Sequence, residues 1–179
     1  MRRAILIISA ILFISANLLA QKMNGIKTDL FSPILRTGVF KVERVITEDI
    51  SIQLGFFYTG YHQRDSEVTL KGYGITPELR YYLSETPAPN GAYLAPNIRY
   101  MDLTGKDPLD NEEATLSSIG LAVNLGKQWL LKDMILIDAW IGPSYNFRSV
   151  EDVSGNVDIG ISEANGFGLR LGIAIGIAF

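Results

Sequence analysis

The chain has 179 residues, of which 47% are apolar and 20% charged, and its mean hydropathy is +0.18, so it is long enough for one domain and too apolar to be disordered. Sixteen basic and nineteen acidic residues give a net charge of −3, which excludes the basic stripe that a nucleic-acid partner requires. The absence of cysteine excludes disulfide frameworks, thiolate zinc sites, thiol nucleophiles and a lipidated N-terminal cysteine.

The first element is a targeting segment. Met1-Arg2-Arg3 is a basic start, Ala4 to Ala16 is apolar, and Asn17-Leu18-Leu19-Ala20 precedes Gln21, which predicts a secretory signal cleaved after Ala20. Leu18 is larger than usual for its place before such a site. A retained anchor is the alternative, but the run is at the short limit for about 30 Å of hydrocarbon and is interrupted by Ser9, Ser15 and Asn17. The division is therefore residues 1–20 as signal peptide and 21–179 as the folded domain. Without Arg2 and Arg3 the balance is 14 basic to 19 acidic, or −5.

The rest reads as strands of period two. Strands are predicted over 24–31, 35–46, 50–63, 68–83, 91–104, 114–130, 134–148 and 167–179. In the third, Ile50, Ile52, Leu54, Phe56 and Tyr58 share one face; in the fourth and fifth, Tyr73, Ile75, Leu79, Tyr81, Leu94, Ile98 and Tyr100 do. In the sixth, Ile119, Leu121, Val123 and Leu125 alternate with Ser118, Gly120, Ala122 and Asn124. In the seventh, Ile135, Ile137, Ala139 and Ile141 leave Asp138 and Trp140 on the inner side. The last strand is the clearest, because Phe167, Leu169, Leu171, Ile173, Ile175, Ile177 and Phe179 alternate with Gly168, Arg170, Gly172, Ala174, Gly176 and Ala178. Bulky apolar side chains on one face, with small or polar ones on the other over thirteen residues, is the pattern of a lipid-facing strand and too long for an ordinary sandwich strand.

The connections set the strand count. Thr47-Glu48-Asp49 and Leu131-Lys132-Asp133 are tight, and 84–90 falls on the same side; 64–67, 105–113 and 149–165 fall on the other, where longer loops belong. Seven long strands leave an odd number, and the segment 24–31, joined to the next by Ser32-Pro33, supplies the eighth. The expectation is an all-β, eight-stranded antiparallel transmembrane up-and-down β-barrel. Pro77, Pro96 and Pro143 fall within strands, each removing a ladder donor, and bulges are expected there. A soluble sandwich or calycin-like barrel is the alternative.

The segments IKTDLFSPILRTGVFKVERVI, GITPELRYYL, GAYLAPNIRY, IDAWIGPSYNF and GFGLRLGIAIGIAF resemble an uncharacterised family of small outer-membrane β-barrel proteins of Gram-negative bacteria. The architecture is similar to the OmpA and OmpX transmembrane domains, small barrels filled by their own side chains. The resemblance implies a place in the outer membrane, in contact with its lipid and lipopolysaccharide, and carries no chemistry to any residue; fold alone does not supply function.

Several residues are candidates for a role. Inward parity collects Lys41, Glu43, Glu78, Arg80, Arg99, Asp138 and Arg170, which in a bore this narrow are expected to pair as a closed ionic plug rather than ring a water path. The long loops carry Asp107, Asp110, Glu112, Glu113, Glu151, Asp152, Asp158 and Glu163, a solvated acidic surface with no calcium-loop spacing that could bridge to lipopolysaccharide through divalent cations. His62, near Asp65 and Ser66, is the one histidine; a serine-histidine-acid site acting on lipid is a weaker reading than a rim contact. Tyr81, Tyr82, Tyr93, Trp129 and Phe179 near one rim, and Tyr58, Tyr61, Tyr100, Tyr145 and Phe147 near the other, suggest aromatic girdles; Tyr61, Tyr82 and Tyr93 have inward parity. The expectation is a monomeric, non-enzymatic envelope protein without cofactor or metal. A narrow pore and a lipid-modifying enzyme are the alternatives.

Overall fold

The computed structural model describes residues 24–62, 69–107, 112–154 and 165–179. They form eight strands: β1 (Asn24–Asp29), β2 (Thr37–Val45), β3 (Ile50–His62), β4 (Thr69–Tyr82), β5 (Gly91–Asp107), β6 (Glu112–Leu131), β7 (Ile135–Ser154) and β8 (Gly166–Ala178). Each pairs antiparallel with the next and β1 pairs with β8, so the sheet closes as an up-and-down barrel. Closure leaves no free edge along the paired length, which a sheet in hydrocarbon requires.

The inside is polar and the outside apolar. Among the described residues fifteen buried side chains are polar or charged and ten are apolar, the reverse of a water-soluble core. The outward rows of β6 (Ile119 to Leu131), β7 (Ile135 to Phe147) and β8 (Phe167 to Phe179) each run thirteen residues in register with one another. At about 3.3 Å per residue and a tilt of about 45°, such a row is about 28 Å tall, the thickness of a bilayer core. This belt makes the protein a membrane-spanning barrel. Lys127 interrupts the β6 row, with its ammonium 5.4 Å from the Trp129 ring centroid near the turn end. At the opposite, loop end, Tyr145 packs edge-on against Phe147 and Phe167, and Tyr58 is in register with Tyr73.

Turns and loops differ in kind. At the turn end, Lys132 and Asp133 both have positive φ, 51° and 54°, which makes the β6–β7 link a type I′ turn matched to the strand twist. The β4–β5 link instead folds back under the barrel: Ala88 N–H donates to the Glu48 carbonyl, and Pro89 is buried. At the loop end the strands outrun the membrane. The expected loop at 105–113 is largely strand, since β5 continues to Asp107 and β6 starts at Glu112, and β7 likewise continues to Ser154. Alternation is unreadable there because the sequence over 105–113 has no apolar residue but Pro108, Leu109 and glycine to mark a face. Ser32-Pro33 opens a 3-10 turn, Ser32–Leu35, ended by Arg36 at φ 52°.

The prolines do not produce bulges. Leu54 pairs Pro77, Pro96 pairs Val123 and Pro143 pairs Leu169 in unbroken register; on the other side of these strands a few ladder pairs are missing between Ile75↔Tyr100 and Tyr81↔Leu94 and between Ala122↔Ser144 and Leu125↔Ile141, yet the register resumes unchanged. Among the described residues the register shift falls instead at Glu113/Ala114, in the part of β6 beyond the membrane belt. A proline forfeits one donor without requiring an extra residue, and neighbouring strands that remain paired hold it in place.

Candidate functional site

The turn-end half of the bore is filled by one hydrogen-bonded ionic network to which seven of the eight strands contribute. Lys27 on β1 spends all three ammonium N–H groups, on Glu43 Oε2 (2.7 Å), Asp138 Oδ2 (3.0 Å) and Gln128 Oε1. Arg80 on β4 donates from Nε to Glu78 Oε1 (2.6 Å), from Nη1 to Gln128 Oε1 (3.0 Å) and from Nη2 to Asp138 Oδ2 (2.8 Å). Glu43 Oε1 also accepts from Ser51 Oγ and from the Tyr82 hydroxyl (2.7 Å), while Asp138 Oδ1 accepts from the Tyr93 hydroxyl (2.7 Å). Gln128 Nε2 donates to Glu43 Oε2 (3.0 Å) and to the Pro89 carbonyl (2.9 Å), tying the network to the folded-back β4–β5 link. Arg80 also lies over the Tyr93 ring, 4.3 Å from its centroid. β8 contributes space instead of charge: a Cβ on Gly176 would meet Lys27 Cγ at 2.6 Å and would clash with the Ile26 carbonyl.

These groups are almost completely buried; Lys27, Glu43 and Arg80 are each 1% exposed and Asp138 0%. Burying one such charge alone costs several kcal/mol even after relaxation, so their mutual pairing is a condition of the fold. The sequence-predicted Glu43, Glu78, Arg80 and Asp138 come together here. Sequence reasoning missed Lys27, Gln128 and Ser51.

Above the network, toward the loop end, lies a cavity of about 480 Å³, and it holds the other predicted cations. Lys41 pairs with Asp29 at 2.6 Å and sits over the Trp140 ring at 3.6 Å from the centroid. Arg99 donates from Nε to Thr76 Oγ1 (3.1 Å). Arg170 donates to Asn97 Oδ1 (2.9 Å) and Asn146 Oδ1 (3.3 Å). Neither Arg99 nor Arg170 forms a salt bridge among the described residues, so the predicted set of seven divides into the ionic network, with two cations to three carboxylates once Lys27 is counted, the Lys41–Asp29 pair, and two arginines outside both.

The acidic candidates are spread out. Asp107, Glu112, Glu113, Glu151 and Asp152 are backbone positions on the extended strands, with Asp107 in register with Glu112. Asp110, Asp158 and Glu163 lie outside the described residues, as do Asp65 and Ser66, while His62 is the last residue of β3. Among the described residues no group of three or more histidine, aspartate or glutamate side chains is placed to hold a metal ion.

Residues 4–156 match the family described as Protein of unknown function (DUF3575), and the chain belongs to that family. None of the curated proteins matches it. Among solved structures, the N-terminal β-barrel domain of Pseudomonas aeruginosa OprF is similar in fold, with a TM-score of 0.59 at 13% identity over 89% of this chain and 98% of that one. A major outer membrane protein of Thermus thermophilus is also similar, with a TM-score of 0.52 at 16% identity over 87% of this chain and 99% of that one. At such identities the likeness is one of fold.

Proposed function

We propose that the protein is a monomeric, non-enzymatic barrel of the outer membrane, exported by cleavage of residues 1–20, with a structural or surface-interaction role at the envelope. The observation that carries this reading is the buried network of Lys27, Glu43, Arg80, Gln128 and Asp138, which fills the turn-end half of the bore and spends its charged groups on one another. Water-filled selectivity needs a lined path, and here the lining groups are spent on one another. The outer-membrane barrels to which the fold is similar support the location. On this reading the turn end faces the periplasm, and the extended strands around Asp107, Glu112, Glu113, Glu151 and Asp152 project beyond lipopolysaccharide.

Planar-bilayer recording tests it. The purified protein is expected to give no discrete conductance steps, and Arg80→Ala, which opens the centre of the network, is expected to give them. Steps from the unmodified protein would replace this reading by that of a narrow pore. Release of fatty acid from envelope lipids on overexpression would replace it by that of an enzyme.

A further inference from the structure

The barrel wall is incomplete on its loop-end half. β1 has six residues, whereas β8 has thirteen. Its pairing with β2 ends at Lys27↔Lys41, after which the Thr28 hydroxyl donates to the Val39 carbonyl (2.7 Å). Its pairing with β8 ends at Asp29↔Ala174, followed by one bond from Leu30 N–H to the Ile173 carbonyl (2.9 Å). Beyond that, Thr37 and Gly38 of β2 and Gly166–Gly172 of β8 have no strand between them among the described residues, the chain there passing through Leu30, Phe31 and the 3-10 turn Ser32–Leu35. The cavity above the network reaches this gap. Its lining includes inward Lys41 and Arg170, and also Leu169 and Leu171, which belong to the outward row of β8. Thr37 and Val39 of β2 line it from the far side of the gap, so the cavity lies between the two strands where β1 has ended.

At the level of the network and the cavity the charge inside is unbalanced by one: the inward cations are Lys27, Lys41, Arg80, Arg99 and Arg170, and the inward acids are Asp29, Glu43, Glu78 and Asp138. Asp29 is taken by Lys41, and Glu78 by Arg80, Gln53 and Asn124. Arg99 and Arg170 are left with a hydroxyl and two amide oxygens as partners, although each repels the other. Both reach into the same cavity from different strands: the Arg99 Cζ lies 5.7 Å from the Phe57 ring centroid, and the Arg170 Nη2 occupies the place that a Gly120 Cβ would take. Two guanidiniums with spare N–H groups facing one partly enclosed cavity match the oxygens of a phosphate or carboxylate. The volume, about 480 Å³, is that of a small-ligand site.

We propose that this cavity binds an anionic amphiphile, an acyl or alkyl chain ending in a phosphate or carboxylate, with its head between Arg99 and Arg170 and its tail passing between β8 and β2 into the bilayer. Leu169 and Leu171 supply the apolar side of the passage, which a free anion entering from the loop end would not use. Calorimetric titration of the full chain in zwitterionic detergent with inorganic phosphate and with ethyl, butyl, hexyl and octyl phosphate tests this. Affinity is expected to rise along the series by at least about tenfold, in step with apolar burial. The double variant R99Q/R170Q is expected to lose that affinity by a similar factor while keeping the gel-mass shift on boiling that reports a folded barrel. Should the double variant not fold, Gly120→Ala, whose methyl displaces the Arg170 guanidinium, is expected to weaken binding in its place. Equal affinity for inorganic and octyl phosphate would overturn the amphiphile. Equal heats in wild type and the arginine variants would reduce the signal to detergent partition and overturn the site. Neither result bears on whether the bore conducts.

Discussion

Lys27 shows how tightly a single side chain can be committed. Its three donors meet two carboxylates and an amide, and Gly176 keeps the space for its stem. Lys27→Met keeps the volume and leaves Glu43 and Asp138 each without one cationic partner, a loss of about 3–5 kcal/mol for a buried pair broken from one side. The expected result is a clearly lower urea midpoint in reconstituted vesicles, with partial recovery when Glu43→Gln is added, because the second change removes the stranded charge. An unaltered midpoint in the single variant would mean that water reaches the network. Glu43, Glu78, Arg80 and Asp138 were legible in the sequence because each lies in a strand whose apolar face phases it. Lys27 was not, because Ile26 and Thr28 give its strand too little contrast to set parity, and Gln128 carries no charge to draw attention.

Elements show which local rules govern the sheet. The β6–β7 turn places Lys132 and Asp133 in the left-handed region, where a lysine costs roughly 1 kcal/mol and Asn-Gly is the favoured pair. Replacing both, Lys132→Asn with Asp133→Gly, is expected to raise the unfolding midpoint by the equivalent of about 0.5–1 kcal/mol, since it touches neither the network nor the belt. A lowered midpoint would show that the charged pair does something the turn geometry does not require. Seven strands were legible from period-two alternation, and the short first one from the even strand number a closed barrel demands. Two features escaped. Strand continuing past Thr104 on β5, before Ala114 on β6 and past Arg148 on β7 has no apolar row to mark it, and the prolines suggested bulges because the missing donor is visible in sequence while the register held by strands on both sides is not.

The whole molecule is a polar cylinder inside an apolar sleeve, and one strand crosses the boundary between sleeve and water. Along the outward row of β6, Thr115 and Ser117 are followed by Ile119, Leu121, Val123 and Leu125, with no change of strand or register over these residues. If hydrocarbon rather than water covers the sleeve, a spin label moved along this row reports depth alone, because side-chain direction is constant. Collision with dissolved oxygen is expected to climb from Ser117 to a maximum near Leu125, and collision with a water-soluble nickel chelate to fall in the opposite sense. The row from Ile119 to Leu131 spans about 28 Å across a tilted sheet, so both gradients should reverse between Leu125 and Leu131 as the second interface approaches. Lys127 lies on that descending side, where its ammonium can reach the headgroups past Trp129. A water-soluble protein with the same alternation would show the chelate reaching Leu125 and Ser117 alike. That outcome would remove the membrane from the account, because the belt would then need a protein partner to cover it, and the gap between β2 and β8 would open onto that partner instead of onto lipid.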